Sequence, residues 1–201
     1  MYNIEIDKNG KPIFQSRQNT AYKINIGDRP EDDKTVWHSR SCAVVSHVWV
    51  IKDGQFFVLI GKRGSHGDYP GKYNIPCGYF DWNENLRYAM YRELWEETGI
   101  FIPQIYATTQ YSKIDQPWYV NTSPSENLQN ISLHTGIVLD LIKNELPILS
   151  LDNMEENESI GAYWMHIDTV LQIPEDEWAF NHYKRLREFI LEITPVFNKY
   201  K

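Results

Sequence analysis

Glu93, Glu96 and Glu97 stand at i, i+3 and i+4 in the run from Arg92 to Ile100 (RELWEETGI). On a helix that spacing places three carboxylates on one face. Carboxylates so arranged repel one another unless a cation lies between them. A hard divalent ion is the economical choice, because it takes oxygen ligands and keeps positions for phosphate and water. A fourth carboxylate, Glu84, precedes the run, and the guanidinium of Arg92 opens it. Gly78 lies six residues before Glu84, and Gly99 follows Glu97 by two. With each residue type used at roughly 7%, the seven identities Gly78, Glu84, Arg92, Glu93, Glu96, Glu97 and Gly99 coincide by chance about once in 10⁸ windows. An ordinary acidic helix with a glycine cap accounts for Gly99, but for neither Gly78 nor the spacing.

Positioning these groups requires a helix over Asn85 to Thr98. Asp81 or Asn83 could cap it, and Gly99 would end it in a left-handed turn. Glu84 at its start complements the helix dipole. Tyr88, Tyr91 and Trp95 form a second stripe opposite the glutamates, which reads as core packing or dimer contact rather than base stacking. Upstream, Cys42–Ile51 and Gln55–Ile60 are rich in β-branched and aromatic residues and flank Lys52-Asp53-Gly54, the pattern of a hairpin. Residues 61–73 carry glycines and a proline and read as a loop, in which Lys62, Arg63, His66 and Lys72 are either solvated or turned toward a phosphate. Downstream, Phe101–Ser112 and Ile131–Ile142 read as strands, separated by a long Asp115–Asn130 loop of the kind that is often functional. A short strand at Gly161–His166 follows, then a final helix from Glu175 to Glu192, closed near Pro195. The N-terminal residues Tyr2–Phe14 read as two short strands around a turn at Asp7–Gly10. The polar stretch Gly27–Lys34 then marks a boundary. The expected organisation is an N-terminal β extension over residues 1–34 and a main domain over 35–201.

The chain has 201 residues, 42% of them apolar and 14% aromatic, which suits one globular core and argues against disorder. Its net charge of −7 argues against attraction to a nucleic-acid duplex or an anionic membrane, while a bound cation could still bring in nucleotides. No apolar run approaches the roughly 18 residues of a membrane span. The N-terminus lacks the layout of a signal peptide, and Cys42 and Cys77 make no disulfide framework, so a cytoplasmic protein is expected. In that compartment the sequons at Asn121 and Asn130 carry no meaning.

The Gly78–Ile100 segment resembles the signature of the Nudix hydrolase superfamily at every defining position. Residues 69–76 (YPGKYNIP) and Lys62-Arg63-Gly64 resemble the family's preceding stretch. The likeness covers about Ser41 to Asp168. It implies an α+β fold, a Nudix-type α/β/α sandwich with a mixed central sheet, here with the N-terminal β extension. It also implies metal-dependent cleavage of the diphosphate in an NDP-X compound such as ADP-ribose, an NAD-type dinucleotide or a nucleotide sugar. Mg²⁺ or Mn²⁺ would be held by Glu93 and Glu97, with Glu96 as a further ligand, and by the backbone carbonyl at Cys77. Arg92 would orient a glutamate, or else make an ordinary surface ion pair. Glu84 would support the site, and Arg63, Lys72 and His182 are candidates to bind substrate. The general base stays open between Glu93, Glu96 and a later glutamate among Glu126, Glu155, Glu156 and Glu158.

Cys77 departs from the family pattern, which commonly has glycine there. A carbonyl survives that change, but glycine alone adopts positive φ freely, so the loop conformation becomes a question. His182, in the element Phe180-Asn-His182, either contacts substrate or packs under Phe180. A homodimer is a further candidate state. Two other readings remain: a Nudix-type domain that senses nucleotides without cleaving them, and isopentenyl diphosphate isomerase-like chemistry, which would require a catalytic cysteine.

Overall fold

The computed structural model describes residues 5–13, 21–25, 33–37, 41–66, 68–122, 131–153 and 158–200. Two small strand pairs come first. β1 (Glu5–Ile6) and β2 (Pro12–Ile13) flank the expected turn, with Gly10 at φ 78°, and Asp7 Oδ1 accepts from Asn9 and Lys11 N–H at 2.8 Å. β3 (Ala21–Asn25) pairs antiparallel with β4 (Asp33–Trp37), so one strand pair runs across the boundary expected at residues 34 and 35.

The central sheet is built on a hairpin of β5 (Cys42–Lys52) and β6 (Gln55–Arg63). Asp53 and Gly54 turn it with φ of 51° and 74°, the doubly left-handed geometry that an Asp-Gly pair suits. Short strands β7 (Tyr73–Asn74) and β8 (Cys77–Tyr79) pair with β6 and β5 respectively. They are followed by α1 (Leu86–Thr98), then β9 (Ala107–Lys113), β10 (Tyr119–Asn121), β11 (Ile131–Leu141) and β12 (Ser159–His166). The order is β10-β11-β5-β6-β12, with β9 also on β11. β11 runs parallel to β5 and the other neighbours are antiparallel, which is the mixed sheet expected. Helices α2 (Ile167–Leu171), α3 (His182–Glu192) and α4 (Thr194–Phe197) complete the chain.

The period-two alternation of β5 divides the interior into two layers. Val44, Val48 and Val50 pack against Leu86, Ala89, Met90 and Leu94 of α1. Val45, Trp49 and Ile51 pack against Leu186, Phe189, Ile193 and Val196 of α3 and its continuation. Each such side chain contributes about 1.5–3 kcal/mol by leaving water. Tyr91 and Trp95 join the first layer, Tyr91 meeting Phe101 edge-on at 5.7 Å, so this part of the aromatic stripe is core.

Four expectations need correction. The strand expected from Phe101 starts only at Ala107, because Ile102–Gln104 form a 3-10 turn around Pro103, whose fixed φ and missing N–H disfavour a strand. The final helix is interrupted: Glu175–Glu177 make a 3-10 turn, Phe180 and Asn181 take φ of 55° and 60°, and α3 begins only at His182. Pro195 does not close the helical region but lies in the first turn of α4, where its missing N–H costs nothing. Part of the Asp115–Asn130 loop is strand β10, while residues 123–130 lie outside the described residues.

The second layer also buries His47 and His134, whose Nε2 and Nδ1 lie 3.3 Å apart, among Trp118, Tyr119 and Phe189. Burial, then the Arg185 charge, holds His134 down at about 3, and burial, then His134, His182 and Arg185, lowers His47. Both imidazoles are neutral.

Candidate active site

α1 carries the carboxylates, and its ends are fixed locally. Asn85, not Asp81 or Asn83, is the N-cap: its side chain accepts from Tyr88 N–H at 2.9 Å. Asn83 is instead a turn residue with φ 69°. Gly99 closes the helix in the left-handed conformation at φ 71°, donating to the Trp95 carbonyl at 3.0 Å.

Arg92 is the hub, and it is buried rather than on the surface. Its Nε donates to Glu84 Oε1 at 2.7 Å and its Nη2 to Glu84 Oε2 at 3.0 Å. Its Nη1 lies 2.7 Å from Glu93 Oε1 and 2.8 Å from Glu96 Oε2. The remaining reach of Nη2 goes to the Tyr79 carbonyl at 2.7 Å, tying the helix to β8. Burial opposes the guanidinium's charge, but the Glu84 hydrogen bonds and the surrounding carboxylates outweigh it and raise its pKa. Glu84 is enclosed, its side chain 1% exposed, and its Oε2 also accepts from Asp81 N–H at 2.8 Å. It therefore anchors Arg92 and the loop entering the helix.

Gly78 is required by close approach. A Cβ built there would stand 2.1 Å from Glu93 Oε2, so any side chain at this position must move the Glu93 carboxylate or β8. Cys77 keeps an ordinary strand conformation, which answers the question its departure from glycine raised. Its N–H donates to Glu97 Oε2 at 3.1 Å instead of to β5. Antiparallel alternation then puts the Cys77 carbonyl on that same outer edge, as it does the Tyr79 carbonyl that Arg92 uses. The Cys77 side chain packs with the second layer, and burial together with Glu97 raises its thiol well above the ordinary range. Both effects favour the neutral thiol over the thiolate that a cysteine nucleophile would need.

The three helix glutamates are thus divided. Glu93 and Glu96 face Arg92, whereas Glu97 faces the Cys77 N–H. Among the described residues no group of three His, Cys, Asp or Glu side chains converges as a ready-made metal cage. Burial, with Glu96 adding repulsion, pushes Glu93 up to about 8 against the pull of Arg92. Burial and the charges of Glu93 and Glu158 push Glu97 well above the carboxylate range, with the Cys77 N–H and Arg63 opposing. Glu96, more open at its side chain, is raised less, by burial against Arg92.

The remaining expected residues divide as well. Arg63 lies at the end of β6 with its guanidinium 4.9 Å from the centre of the Phe180 ring, close enough for its charge to act on Glu97. The Lys72 ammonium donates to the Asp176 carbonyl, tying the loop before β7 to the turn before α3. His182 is buried, its Nδ1 accepts from Ile75 N–H at 3.0 Å, and burial lowers its pKa, so it is a packed neutral histidine beside Phe180. Glu158, just before β12, is one of the later glutamates expected as a candidate base; its charge acts on Glu93 and Glu97, and its carbonyl accepts from Gly64 N–H at 2.8 Å. Glu126, Glu155 and Glu156 lie outside the described residues.

A family model described as the NUDIX domain matches residues 41–189. The chain belongs to the Nudix family. The Nudix domain of Shewanella oneidensis NrtR, solved in complex with ADP ribose, is similar over 82% of this chain and 93% of that one, at 18% identity and a TM-score of 0.57. A Francisella tularensis bifunctional NMN adenylyltransferase/ADP ribose pyrophosphatase, complexed with AMP and a Mn ion, aligns over 77% of this chain and 42% of its own, at 21% identity and TM-score 0.58. A Caenorhabditis elegans Ap4A hydrolase aligns over 77% of this chain and 98% of its own, at 15% identity and TM-score 0.55. At such identities the likeness establishes the Nudix fold. A search of curated sequences returns no match. No helix among the described residues is long and apolar enough to cross a membrane.

Proposed function

We propose that this Nudix chain is a divalent-metal-dependent pyrophosphohydrolase that cleaves the diphosphate of an NDP-X compound. The observation that carries the reading is Glu97: a buried carboxyl held by one backbone N–H, with the charges of Glu93 and Glu158 set against it. Such an arrangement works against the charged form unless a cation balances it. The donor set fits Mg²⁺ or Mn²⁺, since Glu93, Glu97, Glu96 and the Cys77 carbonyl offer hard oxygens and no soft ligand. When bound, the ion would neutralise phosphate oxygens and lower the pKa of a water.

The chain's own residues supply positioning. Arg92 holds Glu93 and Glu96 on the β8 side of the helix, and Glu84 fixes Arg92. Gly78 keeps the gap in which the Glu93 carboxylate lies. Glu158 is the candidate to take the proton of an attacking water, because its charge reaches Glu93 and Glu97 from outside α1. Neighbours described as an ADP ribose pyrophosphatase and an Ap4A hydrolase support diphosphate cleavage as the reaction class.

The NrtR domain bound to ADP ribose favours a second reading, a nucleotide sensor. One panel separates the two. ADP-ribose, NAD, nucleotide sugars and dinucleoside polyphosphates are incubated with Mg²⁺ or Mn²⁺ and nucleoside monophosphate release is followed by chromatography. Metal-dependent release from at least one compound is expected. Tight binding with no release from any of them establishes the sensor.

A further inference from the structure

Next to the carboxylates lies a small aromatic shelf that neither the core nor the metal-site reading uses. Tyr69 is 50% exposed and adopts φ 59°. A bulky residue in the left-handed region costs about 1–2 kcal/mol, and glycine would hold such a turn without that cost. Phe180 meets Tyr69 edge-on, with ring centres 4.8 Å apart, and is itself held at φ 55°. Arg63 completes the group, its guanidinium over the Phe180 ring and its Nε donating to the Asp68 carbonyl.

Backbone contacts fix the shelf beside the glutamates. Ala179 N–H donates to the Tyr73 carbonyl at 2.9 Å, and Ile75 N–H donates to His182 at 3.0 Å, so the strained segment around Phe180 docks along residues 73–75. Two residues further on, the Cys77 N–H holds Glu97. The other side is closed by the Gly64 N–H bond to the Glu158 carbonyl, one residue beyond Arg63. A left-handed, half-exposed aromatic propped by a second one, with a tethered guanidinium alongside, offers a partly exposed ring and a cation within one ligand's reach.

We propose that Tyr69, propped by Phe180, is the platform on which the aromatic base of the nucleotide stacks, with Arg63 placed to meet the phosphate next to it. This rests on the nucleotide reading above and narrows it: affinity is set at the base end, so the accepted class is nucleotides with an unencumbered planar base, with little discrimination between bases. Stacking tolerates base identity because every base has a π face, whereas no base-edge hydrogen bond is needed.

The probes are AMP and ribose 5-phosphate, titrated calorimetrically with Mg²⁺ present. Neither contains a diphosphate, so the measurement does not depend on turnover. The wild type should bind AMP about tenfold or more tightly than ribose 5-phosphate, in the range that base–aromatic stacking supplies. Tyr69→Ala should bring the ratio close to one, and Tyr69→Phe should keep it. Arg63→Gln should weaken both ligands together and leave the ratio unchanged. A wild-type ratio near one, or a ratio that survives Tyr69→Ala, overturns the proposal. If Tyr69 and Phe180 only brace the loop, Tyr69→Ala lowers the melting temperature without moving the ratio, which also overturns it. Loss of hydrolysis across the substrate panel with the AMP preference intact would sink the hydrolase reading alone.

Discussion

On the α1 side of the sheet, Arg92 is buried among Glu84, Glu93 and Glu96, with Glu97 buried one step further on. On the α3 side, His47, His134 and His182 are buried as neutral rings, and the nearby guanidinium of Arg185 lies 3.9 Å from the centre of the Tyr119 ring. Both layers are dense with ionisable groups, but they meet the cost of burial differently. Histidine can shed its charge and behave as an aromatic, so the α3 layer packs like a core. The α1 layer keeps a guanidinium that cannot neutralise and surrounds it with more carboxyls than one cation can balance. The difference separates a polar cluster compatible with stability alone from one that needs something from solution.

The largest test of that contrast is Glu97→Gln. If the carboxyl serves a bound cation, turnover should fall at least about a hundredfold, on the scale of lost electrostatic stabilisation. Removing a buried acid that is repelled by its neighbours should meanwhile leave the metal-free melting temperature unchanged or higher. Full activity, or a large loss of stability, would place Glu97 with the packing residues instead.

Next in size is Arg92→Met. It strips the common partner from Glu84, Glu93 and Glu96 and frees the Tyr79 carbonyl, so urea unfolding should show a loss of about 3–5 kcal/mol. The matched change across the sheet, Arg185→Met, removes a partly exposed guanidinium that stacks on Tyr119 and pairs with Glu188. Its loss should be about 1 kcal/mol. Equal effects would erase the distinction between the layers.

Gly78→Ala probes the geometry of the charged layer more finely. The added methyl must displace the Glu93 carboxylate or move β8, and overpacking of this kind costs about 1–3 kcal/mol. Because Glu93 moves first, activity should fall by more than the loss of stability explains. Comparing specific activity with the fraction folded, measured by circular dichroism at the assay temperature, checks this.

How much of the contrast could be read in advance follows from the range of each interaction. Spacing within α1 showed that the glutamates share a helix, and the Asp53-Gly54 and Gly99 turns were legible because local backbone chemistry decides them. That Arg92 takes Glu93 and Glu96 while Glu97 is held by Cys77 N–H was not legible, since it depends on how β8 crosses the helix. The break before α3 was hidden because nothing in Trp178-Ala-Phe-Asn-His182 forbids a helix; docking on Tyr73 and Ile75 overrides propensity there. The histidine layer went unread for the same reason. His47 and His134 come from strands far apart in sequence, and only the parallel register of β11 on β5 brings them together.

The smallest effect concerns that histidine layer and has a definite sign. Burial holds His134 at about 3, against an ordinary 6.5 in the unfolded chain. Between those values the unfolded chain carries the proton and the folded one does not. Unfolding therefore takes up protons, and stability falls as pH drops from about 6.5 toward about 3. Buried His47 and His182 act in the same direction. His134→Phe keeps an aromatic of similar size and removes one titrating group, so its stability should fall less steeply over that window, whatever its value at pH 7. The slope is measured by urea unfolding at intervals from pH 7 to pH 4, with and without Mg²⁺. The flattening should be independent of Mg²⁺, because the histidines lie across the sheet from the glutamates. A flattening that appears only with Mg²⁺ would mean that the two layers are coupled through the sheet and that the α3 side is part of the site after all.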